Sequence, residues 1–116
     1  MVNTVMSVFK AEIVSDNIEL TCAFMPSCPP SSILHCDWHR AAQVLINLIS
    51  NAIKFTRDRP VRSIHVEVDL HSADTTNPDC HVLAFGVRDT GIGMNQAEMA
   101  KLFVPFGQAN VRTYRY

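Results

Sequence analysis

The sequence has no excess of either charge: ten Lys and Arg against eleven Asp and Glu leave a formal net charge of -1. Long-range attraction toward a phosphate backbone or an anionic lipid surface is therefore absent, and nucleic acid is not an expected partner. Any phosphate ligand has to be held by local groups. No window approaches the ~20 consecutive apolar residues of a membrane span. Lys10 and Glu12 interrupt the N-terminal stretch where a signal peptide needs its apolar core. No membrane contact by this segment is expected. The four cysteines, Cys22, Cys28, Cys36 and Cys80, show no C-x-x-C spacing and no nearby histidine pair, which argues against a zinc site or a small disulfide scaffold. They read as buried free thiols in a reducing cytosol. Glycine is scarce, with only Gly86, Gly91, Gly93 and Gly107. What is present is a chain of 116 residues, 47% hydrophobic and 18% charged. That is enough for one packed core and not for two, so residues 1–116 are expected to form a single domain.

Periodicity divides the chain into helices and strands. Val5, Phe9, Ile13 and Val14 recur at helical spacing and predict one amphipathic helix from Asn3 to Asp16, closed by the turn cluster Ser15-Asp16-Asn17. From Ile18 to Phe24 the pattern alternates, with Ile18, Leu20, Cys22 and Phe24 on one face of a strand. Pro26, Pro29 and Pro30 end regular structure. Asp37 is a good N-cap for eighteen residues free of Gly and Pro, Trp38 to Phe55. Ser63 to His71 alternates, with Ile64, Val66, Val68 and Leu70 inward, and a polar loop through Asp79 leads to a second apolar run, His81 to Val87. These two read as an antiparallel pair. Asn95 and Glu98 have capping-box spacing for a short helix running to about Phe103, followed by a polar stretch from Gly107 to Tyr116. The predicted class is α/β, a two-layer sandwich in which helices back one mixed sheet.

Two places in this scaffold carry chemistry. Arg40, Gln43, Asn47, Asn51 and Lys54 recur every three or four residues and form one stripe on the long helix, while Ala41, Val44, Leu45, Leu48, Ile49, Ala52 and Ile53 fill its other faces. A solvated face would give such a stripe, but solvated faces favour Glu, Lys and Arg, and asparagine is a poor interior helix former. An amide oxygen is a neutral hard ligand suited to magnesium that keeps its waters and bridges nucleotide phosphates. Lys54 adds a point charge for a phosphate. The second place is Asp89-Thr90-Gly91-Ile92-Gly93-Met94, where two glycines permit positive φ or close backbone approach. A carboxylate there can accept a hydrogen bond from the exocyclic amine of adenine. Asp-Thr-Gly after an apolar strand is also the signature of aspartic proteases, which pair two such aspartates. The chain has one such triplet and would have to dimerise, and its uninterrupted helix argues against that nearly all-β class.

Q-V-L-I-N-L-I-S-N-A-I-K-F-T, then D-T-G-I-G-M, then K-L-F-V-P-F-G-Q occur in the order and spacing of the catalytic domains of two-component histidine kinases, which this chain resembles over nearly its whole length. The resemblance implies a mixed sheet backed by helices, with ATP held between the asparagine helix and a mobile lid. By the same resemblance Asn51 is the magnesium ligand, Asn47 a supporting polar contact, Lys54 a phosphate contact and Phe55 a ring beside adenine. Asp89 is the adenine reader, Gly91, Ile92, Gly93 and Met94 form its turn, and Phe103 and Phe106 open the lid. ATP and Mg2+ are the implied cofactors. The partners implied are a phosphoacceptor histidine domain and a response regulator receiver domain, in a cytoplasmic segment of a free or membrane-anchored parent.

Related ATPases of the gyrase, mismatch-repair and heat-shock chaperone branches place a glutamate one turn before the magnesium asparagine to activate water. Here that position is Asn47. An amide cannot take the proton, which fits transfer of the γ-phosphate to a histidine. None of His35, His39, His65, His71 and His81 lies in the H-E-[hydrophobic]-R-x-P setting of the family's phosphoacceptor, so that histidine is expected on another segment or chain. The family's last phosphate-binding glycine box is also absent, so the domain is expected to be C-terminally incomplete. A non-catalytic adaptor, or a fragment with little nucleotide binding, is the alternative function.

Overall fold

The computed structural model describes residues 1–72 and 80–102. The chain opens with α1 (Val2–Val8) and α2 (Lys10–Ser15), separated at Phe9, whose φ of -90° and ψ of 2° lie outside the helical well. The single helix expected from Asn3 to Asp16 is therefore two. Val2, Val5 and Phe9 are buried, Ile13 is half-buried and Val14 is 73% exposed. The step at Phe9 re-aims the second helix, so Val14 leaves the apolar face to which its spacing assigned it.

After Asn17, at φ 52°, the chain enters β1 (Glu19–Phe24), then a proline-rich loop, then α3 (Trp38–Thr56). Asp37 caps α3, its Oδ1 accepting the N–H of Arg40 at 3.1 Å. Such a cap stabilises a helix by about 1 kcal/mol. The strands β2 (Ser63–Ser72) and β3 (His81–Asp89) follow, then α4 (Gln96–Ala100). Its capping box is formed: Asn95 accepts the N–H of Glu98, and Glu98 accepts the N–H of Asn95. The helix ends at Ala100. The expected polar loop from 73 to 79 and the polar stretch from Gly107 onward lie outside the described residues.

The sheet order is β1-β2-β3. The strands β1 and β2 are parallel, which requires a crossover, and α3 supplies it. The β2 and β3 strands are antiparallel, as the alternation predicted. Residues opposite one another share a face. Leu20, Cys22 and Phe24 pair with Ile64, Val66 and Val68, which pair in turn with Asp89, Val87 and Phe85. This is the face that α3 covers through Leu45, Ile49, Ala52 and Ile53. The fold is thus α/β, with helices on one side of a mixed sheet.

The other face is polar. The Thr21 hydroxyl and His65 Nδ1 share a hydrogen bond at 2.7 Å, His65 Nε2 lies 3.5 Å from Glu67, and His71 Nε2 lies 3.2 Å from Asp69. The Ser27 hydroxyl donates to Asp69 and, with the Leu70 N–H, holds that carboxyl below its ordinary range. At the opposite corner Arg57 ties α2 to the end of α3. Its Nε is 3.2 Å from Asp16 Oδ2 and its Nη2 is 3.8 Å from Glu12. The four thiols are free, but only Cys28 is buried; Cys22 is half-buried, and Cys36 and Cys80 are exposed. Burial of all four is thereby corrected, because Cys36 and Cys80 fall outside the helices and strands, where no described element covers them. Partial burial pushes the Cys22 thiol up.

The core rests on the α3–β2 contact, where Leu45, Ile49, Ile64 and Val66 are each 0% exposed. Replacing Ile49 by Ala should cost about 2–5 kcal/mol. Replacing Val44, 51% exposed on the same helix, should stay within about 0.5 kcal/mol. Urea midpoints of the two variants check the difference.

Candidate functional site

The amide stripe lies on α3 opposite its buried face. Arg40, Gln43, Asn47 and Asn51 are exposed, and Lys54 and Phe55 are half-buried. Asn51 stands one turn before Phe55, roughly 6 Å along the axis at 1.5 Å per residue. Lys54 sits in the last turn, where helix carbonyls favour a cation. Val44 and Leu48, expected only to fill the remaining faces, are 51% and 37% exposed and flank the two asparagines.

The end of β3 supplies the second half. Asp89 is opposite Ile64, so its side chain belongs to the α3 side of the sheet. Its Oδ1 accepts the N–H of Gly91 at 2.8 Å, an Asx turn, while Oδ2 takes no hydrogen bond from any described residue. Thr90 staples the turn to the start of β2. Its N–H donates to the Ser63 carbonyl at 3.1 Å, and its hydroxyl donates to Val61 at 2.8 Å and accepts from the Ser63 N–H at 3.0 Å. The Ile92 N–H then donates to the carbonyl of Phe55 at 3.2 Å, joining the turn to the last turn of α3.

Gly91 makes this junction sterically possible. A Cβ there would stand 2.6 Å from Asp89 Oδ1 and 2.8 Å from the Phe55 oxygen. Gly93 is needed for a different reason: its φ is +69°, with open space around it. Ile92 and Met94 leave 48% of their surface exposed beside the turn.

Direct contacts thus join Phe55 to Gly91 and Ile92 and Gly91 to Asp89, and Asn47, Asn51 and Lys54 lie on the helix that carries Phe55. Gly93 and Met94 continue the turn. Phe103 and Phe106 lie outside the described residues. Among the described residues no three His, Cys, Asp or Glu side chains converge. The oxygen available to a divalent ion on the stripe is an exposed amide, which fits magnesium held mainly by phosphates and water. A half-open cavity of about 200 Å³, lined by Phe24, Cys28, Trp38, Val68, Leu83 and Phe85 among others, contains none of these residues. It opens at the other end of the sheet, since Leu83 and Phe85 lie toward the start of β3.

Residues 36–115 match the family described as histidine kinase-, DNA gyrase B- and HSP90-like ATPase. The chain belongs to this ATPase family. The matched span contains the amide helix, the Asp89 turn and α4, whereas α1, α2 and β1 precede it. Hybrid signal transduction histidine kinase A of Dictyostelium discoideum is 36% identical over 102 residues, covering 87% of the chain and 5% of that protein. Histidine protein kinase 1 of Candida albicans is 33% identical over 109 residues, 94% of the chain and 4% of the relative. Two-component system protein A of Emericella nidulans is 36% identical over 104 residues, 89% of the chain and 14% of the relative. The chain therefore spans a small part of the relatives it matches. Among the described residues, no helix is long and apolar enough to cross a membrane.

Sequence reasoning assigned no role to the Thr90 hydroxyl. Its use as a staple depends on Val61 and Ser63, nearly thirty residues away in the chain, so no local spacing could announce it. The ATPase-family turn yields a direct test. Gly91→Ala should cost about 1–3 kcal/mol by overpacking against backbone. Gly93→Ala, which meets only the left-handed φ, should cost about 1–2 kcal/mol. Thermal melts of both should place Gly91→Ala lower, and it alone should release the turn from Phe55, read as faster amide exchange at Ile92.

Proposed function

We propose that this chain is the ATP-binding part of a histidine kinase, acting in phosphorelay signalling. The seating of the Asp89–Ile92 turn on the Phe55 carbonyl carries this reading, because it brings the Asp89 carboxylate beside the helix bearing Asn47, Asn51 and Lys54, as a reader of adenine would require. In this reading Asp89 accepts the exocyclic amine of adenine through the oxygen that Gly91 leaves free. Phe55 lies beside the base, with Ile92 and Met94 lending apolar surface around it. Lys54 meets a phosphate, and Asn47 supports the polar contacts of Asn51. The amide oxygen of Asn51 would hold Mg2+ together with the nucleotide phosphates, where the ion would screen their charge.

The reaction assigned is phosphoryl transfer. An imidazole nitrogen of a histidine on a phosphoacceptor domain forms the P–N bond as the bond from the γ-phosphorus to the bridging oxygen breaks, and ADP leaves. Asn47, where water-activating relatives carry glutamate, has no basic group to deprotonate water, so hydrolysis is not favoured over transfer. The phosphoryl group then passes to a receiver domain. The similarity to proteins named hybrid signal transduction histidine kinases supports both partners.

Thermal melts with Mg-ATP and Mg-GTP test binding. At a concentration one hundred times Kd, ATP should stabilise the chain by about 2.7 kcal/mol, a rise on the order of ten degrees. GTP should not, Asn51→Ala should abolish the shift, and Asp89→Asn should reduce it while leaving weak, measurable ATP binding. Labelled γ-phosphate should then appear on a supplied phosphoacceptor domain. ATP stabilisation without transfer would favour a nucleotide-binding adaptor, and no stabilisation would refute the reading.

A further inference from the structure

Thr56 closes the amide motif and has no part in the function above. It is 0% exposed, and its Oγ1 has no hydrogen-bond partner among the described residues. A threonine in a helix commonly returns its hydroxyl to a carbonyl one turn back, and here it does not. An unmade hydrogen bond at a buried hydroxyl is costly, and a valine of the same shape would avoid it. A buried polar atom without a protein partner asks for a specific explanation, such as a bound water.

The position of Thr56 supplies one. It follows Phe55, whose carbonyl accepts the Ile92 N–H and lies against Gly91. It shares the sheet-facing side of α3 with Ile49, Ala52 and Ile53. Ile64, the rung partner of Asp89, is also 0% exposed on that side. The hydroxyl therefore lies in the interior behind the Asp89 turn, and Asp89, which is exposed, leaves Oδ2 without a hydrogen bond from a described residue.

We propose that Thr56 is a positioning residue for the base-reading carboxylate: its hydroxyl holds one water that bridges to Asp89 and fixes the orientation in which Asp89 meets adenine. This rests on the ATP-binding reading above. The water satisfies the buried Thr56 hydroxyl and takes the exposed Asp89 carboxylate as a second partner, within the few polar partners that buried waters ordinarily have. Thr56 then acts on nucleotide choice without touching nucleotide.

The test compares Thr56→Val, Thr56→Ser, Asp89→Asn and the Thr56→Val/Asp89→Asn double variant in the full chain, by titration with Mg-ATP and Mg-GTP. Thr56→Val should still melt cooperatively and should lose ATP affinity about tenfold, about 1.4 kcal/mol, with a smaller ATP preference over GTP. Thr56→Ser should keep the parent affinity. The valine should cost nothing further in the Asp89→Asn background, because the two groups act as one unit. Unchanged ATP affinity in Thr56→Val, an equal loss in both backgrounds, or loss of the cooperative melt would each overturn the proposal. If Asp89→Asn and Asn51→Ala both leave ATP affinity at the parent value, the ATP-site reading itself fails. If they weaken binding while Thr56→Val does not, only the role of Thr56 fails.

Discussion

The backbone of Gly91 lies against the carbonyl of Phe55 so closely that no side chain fits between them, and the next N–H along, that of Ile92, closes a hydrogen bond onto the same oxygen. Helix carbonyls at a C-terminus have no partner within the helix, so the end of α3 offers an acceptor and the turn after β3 uses it. The amide helix and the acidic turn are nearly forty residues apart in the chain. This one backbone contact makes them neighbours, and the candidate site depends on it. Overpacking at residue 91 or loss of the Asp89 Asx turn would separate the two halves while leaving each locally intact.

The contact is held from below by the sheet. The antiparallel register of β2 and β3 sets Asp89 opposite Ile64 on the α3 side. A slip of one residue would turn Asp89 to the polar face with His65 and Glu67 and bring Arg88 inward. Apolar residues at alternate positions of β2 prevent that slip, since Ile64, Val66 and Val68 are all buried beneath α3. Core packing and site geometry are thus one constraint: the residues that exclude water from the sheet also decide which face the carboxylate takes. Thr90 reinforces the register by bonding to both sides of the β2 start.

Much of this was legible in the chain. The Asp37 cap, the long helix, the alternation of β2 and the capping box of Asn95 and Glu98 are local, and local chemistry predicts them well. Other features are settled by contacts that no short window contains. The break at Phe9 depends on how α1 and α2 meet the rest of the fold, and it carried Val14 into solvent against its helical spacing. Cys36 and Cys80 are exposed because no described element covers the connecting segments that carry them, although cysteine as a residue type favours burial. Parallel pairing of β1 with β2 follows from α3 crossing between them.

The sequence by itself determined the elements and the chemistry available: an amide stripe without a general base, a carboxylate before two glycines, and a lone threonine closing the amide motif. Their types and spacing are properties of the chain. Tertiary structure alone decided that the stripe faces solvent while Thr56 is buried without a hydrogen-bond partner among the described residues, and that Asp89 lies on the helix side of the sheet. It also decided that Gly91 must be glycine because Phe55 is behind it. Those facts depend on which backbone atoms come within a few ångströms of one another after folding. That proximity is set jointly by sheet register and helix packing, and neither can be read from residues taken in order.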